Sequence, residues 1–334
     1  MTQITKSSGP LPREATYDPL LTNLATAYFQ DLSRYSVREV FPVVRVKLKS
    51  GKWKVYERGA FYRDEVGPRP RGGTYPVTGF GMTEESFTTE EEGLSTFIDQ
   101  QDDANTVDPV RLEAAKSRLL TQQHHTHIER TWAAGFFKTG VWALDKTGVT
   151  SSPSTNQFLQ LDQSGVNIPA FIRAERDDFE LLNGGFPANC LVVGKAVHRG
   201  IMKDPGIAEL IKYTQTGVPT LELLKQLFEV EHYIVPGAVW NAAPQGAAES
   251  MQRIVGERGM LLCHRTAEPE TEAPTAGAIF AWDGLVPGGG LEVAINRWRA
   301  NPYVENFDAR MAIGMKKIAA DLGRFYDAAV STSA

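Results

Sequence analysis

VFPVVRVKLKSGKWKVY, residues 40–56, alternates apolar and basic side chains on both sides of Ser50-Gly51-Lys52. Val46 and Leu48 before the glycine, and Trp53 and Val55 after it, interleave with lysines, which predicts a two-stranded hairpin closed by a Gly turn. Further on, Gly67-Pro-Arg-Pro-Arg-Gly-Gly73 breaks the pattern before Tyr75. Residues 43–82 therefore form a long basic excursion with few apolar side chains to bury. An isolated hairpin is marginal in water, so this one needs a surface to lie on.

Charge is segregated around it. Between 45 and 71 stand Arg45, Lys47, Lys49, Lys52, Lys54, Arg58, Arg63, Arg69 and Arg71, opposed only by Glu57, Asp64 and Glu65. The next stretch holds Glu84, Glu85, Glu90, Glu91, Glu92, Asp99, Asp102, Asp103 and Asp108, with no Lys or Arg. Two readings stand: solvated faces of one hairpin region, or complementary surfaces that meet between subunits. The second names Arg45, Lys47, Lys49, Lys52, Lys54, Arg58 and Arg63 against Glu84, Glu85, Glu90, Glu91 and Glu92 as inter-subunit contacts. Trp53, Tyr56, Phe61, Tyr62 and Tyr75 beside the basic run fit packing on a neighbouring protein better than nucleic-acid stacking.

On the N-terminal side, residues 1–16 have the Ser, Gly and Pro content of a flexible arm. Asp18-Pro19 opens a helix striped by Leu20, Leu21, Leu24, Ala27 and Tyr28. On the C-terminal side, Asp108-Pro109 starts a helix running to about Lys138, about 45 Å at 1.5 Å per residue. Its middle, Thr121 to His127, is polar nearly all round, as in a strut crossing a thin domain. Residues 146–160 read as a Ser/Thr/Asn linker. From 168 to 265 helices (170–182, 195–203, 206–213, 220–228) alternate with strands (190–194, 230–235, 260–264), which makes a compact α/β or α+β unit. After an acidic loop at 266–276, strands at 278–282, 291–298 and 308–318 return to a sheet.

Composition excludes several classes. With 42% apolar and 22% charged residues the 334-residue chain is an ordinary globular protein, long enough for two cores. No apolar run reaches a membrane span, and MTQITKSSGPLPREATYDP has no signal core, so neither a membrane partner nor export is expected. Cys190 and Cys263 sit in apolar strand-like runs and are expected as buried thiols in a reducing cytoplasm, with a disulfide as the alternative. A net charge of −5 is unlike a dedicated nucleic-acid binder.

Signatures of catalysis are missing. The Gly-Lys pairs at 51–52 and 194–195 lack the rest of a phosphate loop, and Gly288-Gly289-Gly290 precedes a strand and reads as a turn. No zinc-protease, nucleophile-elbow or dinucleotide motif occurs. His124, His125, His127 and Glu129 share helix faces in pairs, but a metal site needs a third ligand and outer partners. Exposed histidines at an interface are the expectation. His198, His232 and His264 are isolated, and Asp177-Asp178 do not face each other on a helix. No catalytic residue, cofactor or metal is assigned.

The order of segments resembles the major capsid proteins of tailed phages, the fold named after phage Hong Kong 97. Val40–Val46 followed by Ser-Gly-Lys and Val55-Tyr56 looks like that family's extended loop. Pro187-Ala-Asn-Cys-Leu-Val-Val-Gly194 looks like the strand opening the axial core, and Lys203-Asp-Pro-Gly-Ile207, Thr220–Leu224, Leu227–Val230 and Val239–Ala243 continue the pattern. The resemblance covers about Tyr17 to Val330 and implies an α+β capsid fold. It divides the chain into an N-terminal arm (1–42), an extended loop (43–82), a peripheral domain with a long spine helix (83–145 and 276–330) and an axial domain (146–275). It further implies self-assembly as hexamers and pentamers into an icosahedral shell around double-stranded DNA bound non-specifically. Partners would be scaffolding, portal and decoration proteins, and the shell would form in the host cytoplasm and reside in the virion. Only about forty residues precede the loop, which implies a separate scaffold or a removed prosegment. Asn296, Asn301 and Asn306 with loop lysines carry no weight for cross-linking. The alternatives are an encapsulin-like compartment and, from another class, a metal enzyme using His124, His125 and His127.

Overall fold

The computed structural model describes residues 16–17, 34–105, 109–211, 220–269, 273–285 and 293–331. The helix expected after Asp18-Pro19 and the glycine turn at 288–290 lie outside these residues. The strands are β1 (Thr16–Tyr17), β2 (Val43–Val46), β3 (Ser50–Tyr56), β4 (Met82–Thr88), β5 (Glu90–Asp99), β6 (Leu144–Val149), β7 (Gln157–Leu159), β8 (Cys190–Val193), β9 (His232–Ile234), β10 (Val239–Asn241), β11 (Met251–Arg253), β12 (Met260–Cys263), β13 (Gly277–Trp282), β14 (Ala294–Asn301), β15 (Val304–Lys317) and β16 (Gly323–Asp327). The helices are α1 (Val37–Val40), α2 (Arg58–Phe61), α3 (Gln100–Asn105), α4 (Pro109–Phe136), α5 (Ile168–Leu182), α6 (Lys195–Lys203), α7 (Pro205–Ile211) and α8 (Leu221–Phe228).

Two six-stranded sheets organise the molecule. The first runs β1-β14-β15-β13-β2, with β5 along the opposite edge of β15. The spine helix α4, 28 residues and about 42 Å long, lies against β5 and β15. The second runs β7-β6-β16-β12-β8-β9. Its centre is two uninterrupted apolar runs, Cys190-Leu-Val-Val193 and Met260-Leu-Leu-Cys263, buried at every residue because both faces are covered. Helix α5 supplies Ile168, Ile172, Glu175 and Phe179 at helical spacing. Its start is fixed by Asn167, whose side chain accepts from Ala170 N at 3.0 Å. Thr220 caps α8 in the same way, so Leu224 and Phe228 face inward.

Several expectations change here. Residues 146–160 are no linker: β6 pairs in parallel with β16 and with β7. Their polar residues cluster in the 150–156 connection, where Ser152 and Asn156 take positive φ. The terminal segment does not stay with the first sheet. Residues 323–327 enter the second sheet as β16, because β12 has a free edge there and Phe325 and Tyr326 bring the buried aromatic surface to fill it. Val239–Asn241 pairs with a strand that had no apolar signal, Met251–Arg253. The polar middle of α4 is not a solvated strut either. Ser117, Thr121, His124, His125 and Glu129 are all buried, because α4 is covered by β5 and β15 on one side and α1 on another.

One core joins the sheets. It runs from Phe41, Ile128 and Trp132 through Phe137 and Phe325 to Leu191 and Leu261. A satellite of Ile98, Leu120, Ile295 and Phe307 lies under the spine, and a second, Phe87, Ala278 and Phe280, marks the root of the loop.

Candidate assembly surface

The loop is built differently from the hairpin expected at Ser50-Gly51-Lys52. Val43–Val46 does not pair with Lys52–Tyr56. It joins the first sheet in parallel with β13, from Ile279↔Val43 to Trp282↔Val46. The true partner of β3 is β4, reached across residues 57–81, with Ser50↔Thr88, Lys54↔Glu84 and Tyr56↔Met82 in antiparallel register. Gly51 lies inside the strand. A Cβ there would fall 2.7 Å from the Phe87 ring, so the glycine serves a close approach and not a turn.

Apolar anchorage is concentrated at the root. Phe87 stacks on Phe280 at 4.2 Å between ring centroids, and Trp53 stacks on Phe280 at 5.8 Å. Beyond the root, exposed Phe61 and Phe80 make only a small cluster with the half-buried Tyr56. Val66 and Val77 are 95% and 93% exposed, and Tyr75 is 69% exposed. Apolar side chains thus stand in water along the far half of the loop, which is the pattern of a surface awaiting a partner.

The charged residues fall into distinct places. Lys52 pairs with Glu84 at 3.0 Å across the hairpin, and the Lys52 ammonium holds the Glu84 carboxyl below its ordinary range. The basic and acidic runs therefore begin to meet within one chain. Glu90, Glu91 and Glu92 lie on β5 opposite Ile313, Ala312 and Met311. Glu91 reaches Arg310 at 3.4 Å and Glu92 reaches His127 at 3.2 Å. Arg63 bridges to Glu57 at 3.4 Å. Arg45, Lys47, Lys49, Lys54, Glu85 and Glu90 form no ion pair with any described residue.

Two further contacts had no signal in the sequence. Arg58 donates to Asn183 Oδ1 at 2.9 Å and pairs with Asp321. The Tyr62 hydroxyl donates to the Gly184 carbonyl at 2.7 Å. These tie the middle of the loop to the turn after α5 and to the link between β15 and β16.

The histidine cluster is dispersed. His124 and His125 are buried, against the expectation of exposed interface histidines, and His127 is half-exposed beside Glu92. His124 Nδ1 is engaged with its own helix carbonyl at Leu120, 2.8 Å away. Glu129 spends its carboxylate on the amides of Ser36 and Val37 and the Ser36 hydroxyl, at 2.6–3.2 Å, and so caps α1. Among the described residues no three His, Cys, Asp or Glu side chains are placed to hold a metal. Cys190 and Cys263 are free, buried and opposite each other in register.

Burial pushes His125 down from its ordinary value near 6.5 to about 3, with Arg38 and His124 adding to it, and lowers His124 as well. Both imidazoles are neutral in the fold but protonate near 6.5 once unfolded. Stability is therefore lost as pH falls below about 6.5, by about 1.4 kcal/mol per pH unit for His125 until it takes the proton. Burial raises Glu129, which acts in the opposite sense and favours the fold as it protonates. Urea midpoints between pH 4 and 7 should fall steeply in the wild type and less steeply in His125→Gln. Parallel slopes would place the acid sensitivity elsewhere.

No family model matches the sequence. Over 234 residues it is 26% identical to the major capsid protein of Burkholderia phage BcepMu, covering 70% of this chain and 72% of that one. Among solved structures it is similar to a phage-related protein from Bordetella bronchiseptica RB50, with TM-score 0.68 at 17% identity over 95% of this chain and 99% of that one. The mature capsid of bacteriophage PhiM1 gives TM-score 0.51 at 13% identity over 98% and 92% of the two chains. The capsid of cyanophage P-SCSP1u gives 0.54 at 8% identity over 98% and 92%. An extended loop, a spine helix on one sheet, a second sheet with its own helices, and these likenesses give the chain the fold of tailed-phage capsid proteins, and its sequence is similar to that of a phage major capsid protein.

Proposed function

We propose that copies of this chain close as hexamers and pentamers into an icosahedral shell around double-stranded DNA, and that its role is structural and not catalytic. The supporting observation is the loop: a hairpin with one apolar anchor at its root and exposed Val66, Tyr75, Val77 and Phe80 beyond it. Burying those side chains against a neighbouring copy would stabilise both at about 25 cal/mol per Å². In this reading Arg45, Lys47, Lys49, Lys54 and Arg63, with the Lys52–Glu84 pair, meet the Glu85 and Glu90–Glu92 face of the next subunit, while Arg58 stays with Asp321 of its own chain. Scaffolding and portal proteins would guide closure in the host cytoplasm, decoration proteins would add to the finished shell, and the product would be the virion capsid. A mildly acidic coat of net charge −5 suits a container through which DNA must slide without sticking. Kinship to a phage capsid protein favours this over an encapsulin-like compartment.

The test is electron microscopy of the protein expressed with its phage assembly partners. The wild type should give closed shells. Reversing Lys47, Lys49, Lys52 and Lys54 together to Glu should leave a folded chain by circular dichroism but abolish shells. Normal shells from that variant would refute the charged docking.

A further inference from the structure

We propose that Arg58 and Tyr62 clasp the extended loop to its own chain, and that this clasp stays closed during assembly and aims the loop at its neighbour. The inference rests on the shell reading above and concerns how the loop is set before two copies meet. The hairpin is attached at its root by the Trp53, Phe87 and Phe280 rings. A single attachment leaves a two-stranded ribbon free to swing. The second attachment is five residues further on, about 17 Å at 3.3 Å per residue, and two separated fixed points define a direction.

The acceptor is shaped for this contact. Asn183 ends α5, and Gly184 follows with φ +67°, a conformation that side chains rarely adopt. A Cβ at Gly184 would collide with the Tyr62 ring. Glycine there lets the phenol reach the carbonyl. Asp321 sits in the short turn Ala320–Leu322 between β15 of the first sheet and β16 of the second. One nitrogen of the Arg58 guanidinium, Nη1, thus donates both to an amide oxygen from the α5 turn and to a carboxylate from the link between the sheets.

Position decides between a brace and a brake. The contacts engage residues 58 and 62 and leave 63–81 outside, with Val66, Tyr75 and Val77 exposed while the clasp is closed. Docking of the far end therefore does not require opening. An arm already held in direction has less freedom to lose when it docks, which speeds association and tightens the product.

Assembly of the full-length chain with its phage partners, followed by light scattering and checked by electron microscopy, tests this. Arg58→Asp and Asp321→Arg should each slow shell formation several-fold with thermal unfolding of the free chain unchanged, and the double variant should recover most of the rate. In Arg58→Cys/Asp321→Cys, a short cleavable thiol-reactive linker replaces the ion pair; Cys190 and Cys263 are fully buried and do not compete. The bridged chain should assemble at least as fast as the wild type. Wild-type rates from both single variants would overturn the clasp. So would a bridged chain that assembles only after the linker is cut, since the contact would then be a brake. Failure of the wild type itself to form shells would instead overturn the shell reading.

Discussion

Trp132→Ala should destabilise the unassembled chain by about 3–5 kcal/mol, the range for deleting a fully buried large aromatic side chain. Trp132 is 0% exposed on the spine helix. Its ring meets Phe41 edge-on at 6.1 Å and Phe137 at 5.9 Å. Phe41 touches Phe136 and Trp142, and Phe137 touches Phe325 of the second sheet. One indole therefore joins the segment leading into the loop, the spine and the second sheet. Among the described residues its Nε1 has no hydrogen-bond partner, so the loss is one of packing and cavity formation. The same truncation at Leu119, which is 49% exposed on the same helix, should change stability by no more than about 0.5 kcal/mol. Urea unfolding of both variants measures the contrast. Equal small losses would mean that the two sheets do not share a core at this point.

What the chain revealed before folding follows from how local each signal is. Uninterrupted apolar runs such as Cys190–Val193 and Met260–Cys263 announce central strands, and Asp108-Pro109 announces a helix start, because a cap or a run acts on its own neighbours. The 28-residue spine was visible for the same reason. Pairing across 25 residues was not. Met82–Thr88 carries only Phe87 as a buried side chain, so the partner of β3 left no periodic mark, and Gly51 read as a turn when it is an allowance for a ring. Burial of His124 and His125 was hidden because helix polarity reports burial only when one face is covered, and α4 is covered on more than one. The loop surface itself was legible in outline. Its poverty in apolar residues and its charge segregation are compositional, whereas the Lys52–Glu84 pairing and the Arg58 and Tyr62 contacts depend on register and on a distant turn.

Glu175→Ala should cost about 3–5 kcal/mol, because it strands the buried Arg324 and the partly buried Lys146. Lys146 and Tyr326 are register partners on the parallel strands β6 and β16, and Arg324 lies two residues before Tyr326, so all three point to one face of the second sheet. Glu175 of α5 meets them there: Oε1 accepts from Lys146 at 2.6 Å, and Oε2 accepts from the Tyr326 hydroxyl at 2.7 Å and faces Arg324 at 3.4 Å. Burial, reinforced by the Glu175 charge, drives the Tyr326 phenol far above its ordinary value, so it acts only as a donor. Removing the carboxylate leaves Arg324, at 4% side-chain exposure, without a counter-charge. Lys146→Met removes one partner but leaves the carboxylate with Arg324 and Tyr326, and should cost less. Glu175→Gln keeps the volume and some acceptor capacity and should fall between the two. The network also holds α5 against β16, and α5 ends at Asn183 while Asp321 lies three residues before Arg324. Both halves of the loop's acceptor are thus positioned by Glu175. Loss of the carboxylate should slow shell formation as well as lower the urea midpoint, and adding Arg58→Asp to Glu175→Ala should slow it little further. Additive slowing of assembly in that double variant would separate the network from the loop.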